Sequence, residues 1–249
     1  MKILVCISNV PDTTTKIKFT PDGKQFDTTG VQWIINPWDE LALTRALELK
    51  EMSGNLIEKI TVINVGLKDT EITIRKALSV GADDAVRIDT YPNDAFSVAS
   101  EIANFIKNNP YDLILAGIES SDYNGNAVGG MIAELLNITS VSSVSNIDIK
   151  DEKLVITREI DGGKEILDVP TPLVAIVQKG IAKEPRIPSM RGIMAARTKP
   201  INVLAPIGTK AHIEYVNFEL PQPKGKCKMI PADNLDELIN ILHQEIKAI

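Results

Sequence analysis

The segment Gly117-Ile118-Glu119-Ser120-Ser121-Asp122-Tyr123-Asn124-Gly125-Asn126-Ala127-Val128-Gly129-Gly130 gathers small and hydrogen-bonding residues between an apolar run and a helical pattern. Small residues let a ligand approach backbone amides, and the helix that follows turns its positive end toward any phosphate. Asn124 and Asn126 add side-chain amides. The same composition suits an ordinary surface loop, and without a GxGxxG fingerprint it names no ligand by itself. Asn36-Pro37-Trp38-Asp39 is the second candidate. Asn36 reads as a helix cap and Pro37 as the first helical residue. Trp38, one of only two tryptophans, either packs on an aromatic ligand or closes the core. The third runs from Glu184 to Arg197. Met190, Ile193 and Met194 make an apolar stripe at helical spacing beside Pro188, Arg186 and Arg191. Such a stripe is either a buried helix edge or an adaptable docking surface, since methionine fits varied partners.

The chain has no GxxxxGK[ST] loop, HExxH pair, GxSxG elbow or CxxC. Its two histidines, His212 and His243, and two cysteines, Cys6 and Cys227, supply neither a triad nor a metal cluster. Hydrolytic and metal-dependent chemistry therefore lacks its usual apparatus, which shifts weight toward binding or electron transfer. A net charge of −6 argues against a general affinity for the nucleic-acid backbone. No apolar run approaches the ~18 residues of a membrane span. Met1-Lys2, followed at once by a strand-like run, does not read as a secretory signal. The expectation is a soluble, cytoplasmic chain.

These candidates need elements to hold them, and the patterning supplies an alternation of strands and helices. Lys2–Ser8 is apolar on both faces, as in a buried parallel strand. Residues 16–35, with a turn at Pro21-Asp22-Gly23, read as a hairpin excursion. A helix follows Asn36-Pro37 and stops near Gly54. Strands at 59–65, 85–88 and 112–116 alternate with helices at about 69–80, 94–107 and 126–136, which predicts crossovers and a mostly parallel sheet. After Asn137 the rhythm changes. Residues 140–166 read as two or three strands with turns at Asp151-Glu152 and Asp161-Gly162-Gly163, and 174–177 returns to the parallel sheet. A short helical pattern closes the 180–197 segment. From Pro200 the chain reads as extended, and only 235–246 is helical. The expected fold is thus α/β, with a Rossmann-like parallel sheet, an antiparallel appendage and an extended carboxyl-terminal tail.

Together these segments resemble the beta subunit of electron transfer flavoproteins. The resemblance is carried by Ile3–Asp12, by Asn36-Pro37 with its helix, and by Arg75-Lys76-Ala77-Leu78 before Gly81-Ala82-Asp83. It continues through the 117–130 loop. Arg158-Glu159-Ile160-Asp161-Gly162-Gly163, followed about twenty residues later by Glu184-Pro185-Arg186, is its most specific part.

The resemblance implies an α/β fold of the adenine nucleotide alpha hydrolase-like type. It implies an electron carrier without turnover of its own, paired with an alpha subunit that holds the redox FAD. In this chain AMP, or a second FAD in electron-bifurcating relatives, would contact Cys6, Asn36, Pro37, Trp38, Asp39, Val65 and residues Gly117 to Val128. Glu159 would lie near the alpha subunit's flavin, with Trp38 bordering it; Thr13 stands where some members carry Tyr. Ala127 replaces a frequent Gln in the nucleotide loop. Residues 180–197 would form a recognition loop for acyl-CoA dehydrogenases and other flavin dehydrogenases. Its contacts would be Arg186, Pro188, Met190, Arg191, Ile193 and Met194, with Met190 in place of a leucine anchor. Electrons would pass on to a membrane quinone oxidoreductase. The implied division is a nucleotide-binding domain over 1–199 and a tail over 200–249 that wraps the alpha subunit. A bifurcating subunit, a nucleotide-hydrolysing or ligating enzyme and an adenine-nucleotide sensor are the rival readings.

Overall fold

A computed structural model describes residues 1–150 and 153–248. The first apolar run is β1 (Lys2–Cys6), followed by a short antiparallel pair, β2 (Asn9–Pro11) and β3 (Trp33–Ile35), that closes the excursion. Then come α1 (Pro37–Met52), β4 (Lys59–Val65), one tight turn at Lys68–Thr70, α2 (Glu71–Val80), β5 (Asp84–Ile88), α3 (Ala95–Asn108), β6 (Leu113–Gly117) and α4 (Val128–Leu136). The second part holds β7 (Thr139–Lys150), β8 (Lys153–Ile160), β9 (Gly163–Val169), β10 (Leu173–Val177), α5 (Met190–Ala196), β11 (Ile201–Leu204) and α6 (Leu235–Asn240). The helix continues as wider turns over Ile241–Ile246. The Asp151-Glu152 turn lies outside the described residues.

Nine strands form one sheet in the order β11-β5-β4-β1-β6-β10-β7-β8-β9. Every pair from β11 to β7 is parallel, and β7-β8-β9 is an antiparallel meander. The chain steps outward from β1 through β4 to β5, then returns to lay β6 and β10 on the other side. The order therefore reverses at β1, and in such sheets the crevice beyond the carboxyl ends of the strands at the reversal is where ligands sit. The α/β fold and mostly parallel sheet expected from the patterning are present.

Burial explains the strand sequences. In β1, Ile3 and Val5 join a core cluster with Leu43, Ala46, Ile74 and Leu78 of α1 and α2. Leu4 and Cys6 face the opposite cluster with Ile102 and Phe105 of α3 and Ile132 of α4. Both faces of the parallel strands are covered, so alternation disappears from their sequences. The meander is tied to α1 by Arg45. Its guanidinium donates to the Ile147 carbonyl at 3.1 and 2.6 Å and pairs with Asp148 at 2.9 Å and Glu48 at 2.8 Å.

Two features differ from the patterning. Ile201–Leu204, in the stretch read as extended from Pro200, pairs in parallel with β5 and becomes the sheet's edge. Asn36 does stand at the amino end of α1, yet its side chain makes no capping bond. By contacts, residues 1–17 and 27–216 form one compact unit, and residues 18–26 and 217–248 a second, small one. Within the second, the Phe218 amide donates to the Gly23 carbonyl at 2.8 Å, and the Phe19 and Phe218 rings stack with centroids 5.3 Å apart.

Candidate functional site

The carboxyl ends of β1, β4 and β6 bring Cys6, Val65 and Gly117 to one edge of the sheet. Asp39, in the first turn of α1 and 3% exposed, ties two of these ends together. Its carboxylate accepts the Ser8 amide at 2.8 Å just beyond β1 and the Gly117 amide at 2.9 Å at the end of β6. Burial pushes its carboxyl up to about 6, against the opposing pull of hydrogen bonds from Ser8, Asn36 and Gly117. Burial, aided by the Asp39 charge, also drives the Cys6 thiol far above its ordinary range. Cys6 therefore offers a protonated, apolar wall rather than a nucleophile.

Asn36 does the complementary task for the loop after β6. Its side-chain amide donates to the Glu119 carbonyl at 2.8 Å, and its oxygen accepts the Ser121 amide at 3.1 Å. The Asn36 backbone donates to Ser8 at 3.0 Å and accepts from Glu40 at 3.0 Å. One buried asparagine thus links β1, α1 and the loop. Gly117 has to be glycine for this arrangement, because a Cβ there would run into the Asp39 carboxylate and stand 2.8 Å from the Trp38 Cβ. Trp38 is half-buried and packs against the core cluster of the α1–α2 face.

Beyond Ser120 the loop opens to solvent. The Asn124 amide donates to the Ser120 carbonyl at 2.8 Å. Asn124 and Asn126 take left-handed conformations, with φ of 51° and 43°, which asparagine tolerates better than most residues. Ala127 precedes α4 without a side-chain cap, so the first amides of that helix are available to an acceptor. A Cβ at Gly125 or Gly130 would meet nothing within 4 Å, leaving the backbone open to close approach. Residues 36–39 and 117–130 carry Asp39, Glu119 and Asp122 but no Lys, Arg or His. A phosphate held here would rest on backbone amides and asparagine side chains. Tyr123 leans on Tyr215, with ring centroids 5.5 Å apart. Burial, then its neighbours Tyr215, Tyr91 and Asp122, pushes its phenol up to about 12.

Cys6, Val65 and the loop from Gly117 to Val128, including Ile118, thus lie at or beyond the carboxyl ends of β1, β4 and β6. Asn36, Pro37, Trp38 and Asp39 stand at the amino end of α1, where Asn36 and Asp39 bind the β1 end and that loop. Glu159 does not join them. It lies on β8, two strands beyond β10, and pairs with Lys164 at 2.9 Å.

The 180–197 segment splits in two. Arg186 is engaged within the chain, its amide donating to Thr44 at 3.0 Å and its guanidinium to Glu51 at 2.7 Å. Met190 and Met194 are exposed at 76% and 57%, and Ile193 at 38%, so the stripe is no buried edge. Ile187 and, on α2, Ile72 are exposed still more. Neither was singled out by the patterning, because an isolated isoleucine carries no periodic signal.

No helix among the described residues is long and apolar enough to cross a membrane, and no group of three or more potential metal ligands occurs among them. The family model for the electron transfer flavoprotein domain matches residues 24–207. The chain is 36% identical to the electron transfer flavoprotein subunit beta of Syntrophomonas wolfei, over 90% of this chain and 87% of that protein. It is 32% identical to the subunit beta of Bacillus subtilis over the whole of both chains. It is also 32% identical to the human subunit beta, over 96% of this chain and 95% of that one.

Proposed function

Since this chain belongs to the family of electron transfer flavoprotein beta subunits, we propose that it forms a heterodimer with an alpha subunit and buries AMP in its crevice. The observation that carries the reading is the pair Asn36 and Asp39. Two buried side chains hold the ends of β1 and β6 and the loop after β6 in one arrangement. That brace costs the burial of a carboxyl group, which a plain surface loop does not require.

The residues suit an adenine nucleotide. The apolar strand ends at Cys6 and Val65 would wall the base. The open amides at the start of α4, with Asn124 and Asn126, would take one phosphate group. AMP itself supplies no redox chemistry; it fills the crevice and completes the loop's hydrogen bonds. Of the buried groups at these strand ends, the Cys6 thiol stays protonated and both Asp39 oxygens are engaged by amides, so neither supplies a free nucleophile or base. The chain would therefore act as a carrier subunit without turnover of its own. The redox FAD would be held by the alpha subunit, with Trp38 and Glu159 contributing to its surroundings. The exposed Met190, Ile193 and Met194 would dock acyl-CoA dehydrogenases and other flavin dehydrogenases. The electrons would go on to a quinone oxidoreductase, in the cytoplasm and its bounding membrane. The 1–199 segment would be the nucleotide domain and the 200–249 segment the embrace of the alpha subunit.

The test is the nucleotide content of the heterodimer. The chain is co-produced with its alpha subunit, the complex is denatured, and released FAD and AMP are quantified by chromatography. One FAD and one AMP per heterodimer is the expected result. Two FAD and no AMP would replace this reading with a bifurcating subunit in which the present crevice holds a flavin.

A further inference from the structure

The docking helix α5 has only seven residues, too few to hold a helix by propensity alone. Its order must come from what it packs on, and that is α2. Gly192 faces the end of α2, where a Cβ would press into the Ser79 carbonyl. Ala196, one turn further along the same face, is 3% exposed. With the small residues turned inward, Met190 and Met194 are left pointing outward.

Two cations fix the contact, one from each side. The last carbonyls of a helix have no partners within it and attract positive charge. Arg75, on α2, donates to the carbonyls of Ala196 at 2.7 Å and Lys199 at 2.5 Å, at the end of α5. Lys199, just beyond α5, donates to the carbonyls of Leu78 at 3.3 Å and of Ala82, at the end of α2. Each helix is thus capped by a side chain belonging to the other segment.

We propose that Arg75 and Lys199 are positioning residues for electron-donor docking, a crossed pair of helix caps that sets the angle at which α5 presents Met190 and Met194. The proposal rests on the reading of α5 as the docking helix. It places α2 within the docking apparatus although α2 lies more than a hundred residues earlier in the chain.

The test uses the heterodimer with Arg75→Ala, Arg75→Lys and Lys199→Ala, and with Met190→Ala as the docking control. Two quantities are read: the kinetics of reduction by an acyl-CoA dehydrogenase, and amide hydrogen exchange over residues 190–196. Losing charge-assisted bonds at a helix end should raise KM for the dehydrogenase about tenfold in Arg75→Ala. It should leave kcat and bound FAD unchanged and speed exchange of the α5 amides by a similar factor, with α4 unaffected. Arg75→Lys should recover most of the loss, because it restores one cation at the carbonyls, and Lys199→Ala should repeat it. If Met190→Ala raises KM while Arg75→Ala and Lys199→Ala change neither KM nor α5 exchange, the positioning role is overturned and docking stands. If Met190→Ala leaves KM unchanged while the cap variants speed α5 exchange, docking through α5 is overturned and this proposal falls with it. A joint fall of kcat and FAD content in the cap variants would mark them as general structural residues and overturn it as well.

Discussion

Asp39 is buried with both carboxylate oxygens accepting backbone amides, from Ser8 and from Gly117. The two amides favour the ionised form, burial disfavours it, and burial prevails, so the group titrates near 6 rather than at 3.8. Between those values the folded chain binds more protons than the unfolded one. The Asp39 contribution to stability is therefore complete below about pH 3.8 and is lost as pH rises through 6, by roughly 3 kcal/mol at most. Asp39→Asn removes the titration and one acceptor, costing about 1–3 kcal/mol. Urea unfolding of the heterodimer across pH 4–7 should show the gap between wild type and Asp39→Asn narrowing as pH rises. A gap that stays constant would mean that Asp39 ionises as an ordinary carboxylate. At this scale Asn36 carries a related lesson. Its position before Pro37 announces a cap, but its side chain serves the distant loop instead.

At the scale of elements, the stretch after β11 is held along α3 by two acids. Glu101, 4% exposed, accepts the amides of Ile207 at 2.9 Å and Gly208 at 3.2 Å. Asp94 caps α3 by accepting the Ser97 amide at 2.7 Å, and with its other oxygen takes the amides of His212 at 2.6 Å and Ile213 at 3.2 Å. The His212 ring stacks on Phe96 with centroids 4.3 Å apart. Burial alone would raise the Asp94 carboxyl; the amides outweigh it and hold it below the usual range. That contribution is present above about pH 3.8 and fades as pH falls below it. Glu101→Gln spares the α3 cap but leaves one of the two amides without a strong acceptor. Exchange at Ile207 and Gly208 should rise several-fold while α3 stays protected. Unchanged rates would mean that Glu101 does not hold this stretch and that β11 and Asp94 suffice. The segment thus follows a path set by its own domain as far as residue 213.

For the whole molecule, the apolar residues left uncovered beyond that point set the behaviour of the chain on its own. Met229 is 84% exposed, Leu220 59%, Leu235 58% and Ile246 62%, and under the proposed function the alpha subunit would cover them. Produced without an alpha subunit, the chain should scatter light as aggregates or lose its nucleotide; co-produced, it should elute as a heterodimer. A monodisperse, nucleotide-loaded monomer would contradict the embrace by the tail. What the sequence determined by itself were the features written in neighbouring residues. The doubly buried strands, the helices between them, the change to a meander after Asn137 and the glycine-rich loop after β6 all follow from local periodicity and turn chemistry. Local signals singled out Asn36 and the loop after β6 but not what joins them. Asn36 reaches Glu119 across 83 positions, Asp39 reaches Gly117 across 78, and Arg75 caps Lys199 across 124. Even β11 is recognisable only beside β5, because four residues without strict alternation become a strand when an edge offers them hydrogen bonds. Bonds between distant residues leave no period in the sequence, so only the tertiary structure could decide that two polar side chains brace the ends of β1 and β6 and that two cations tie α5 to α2.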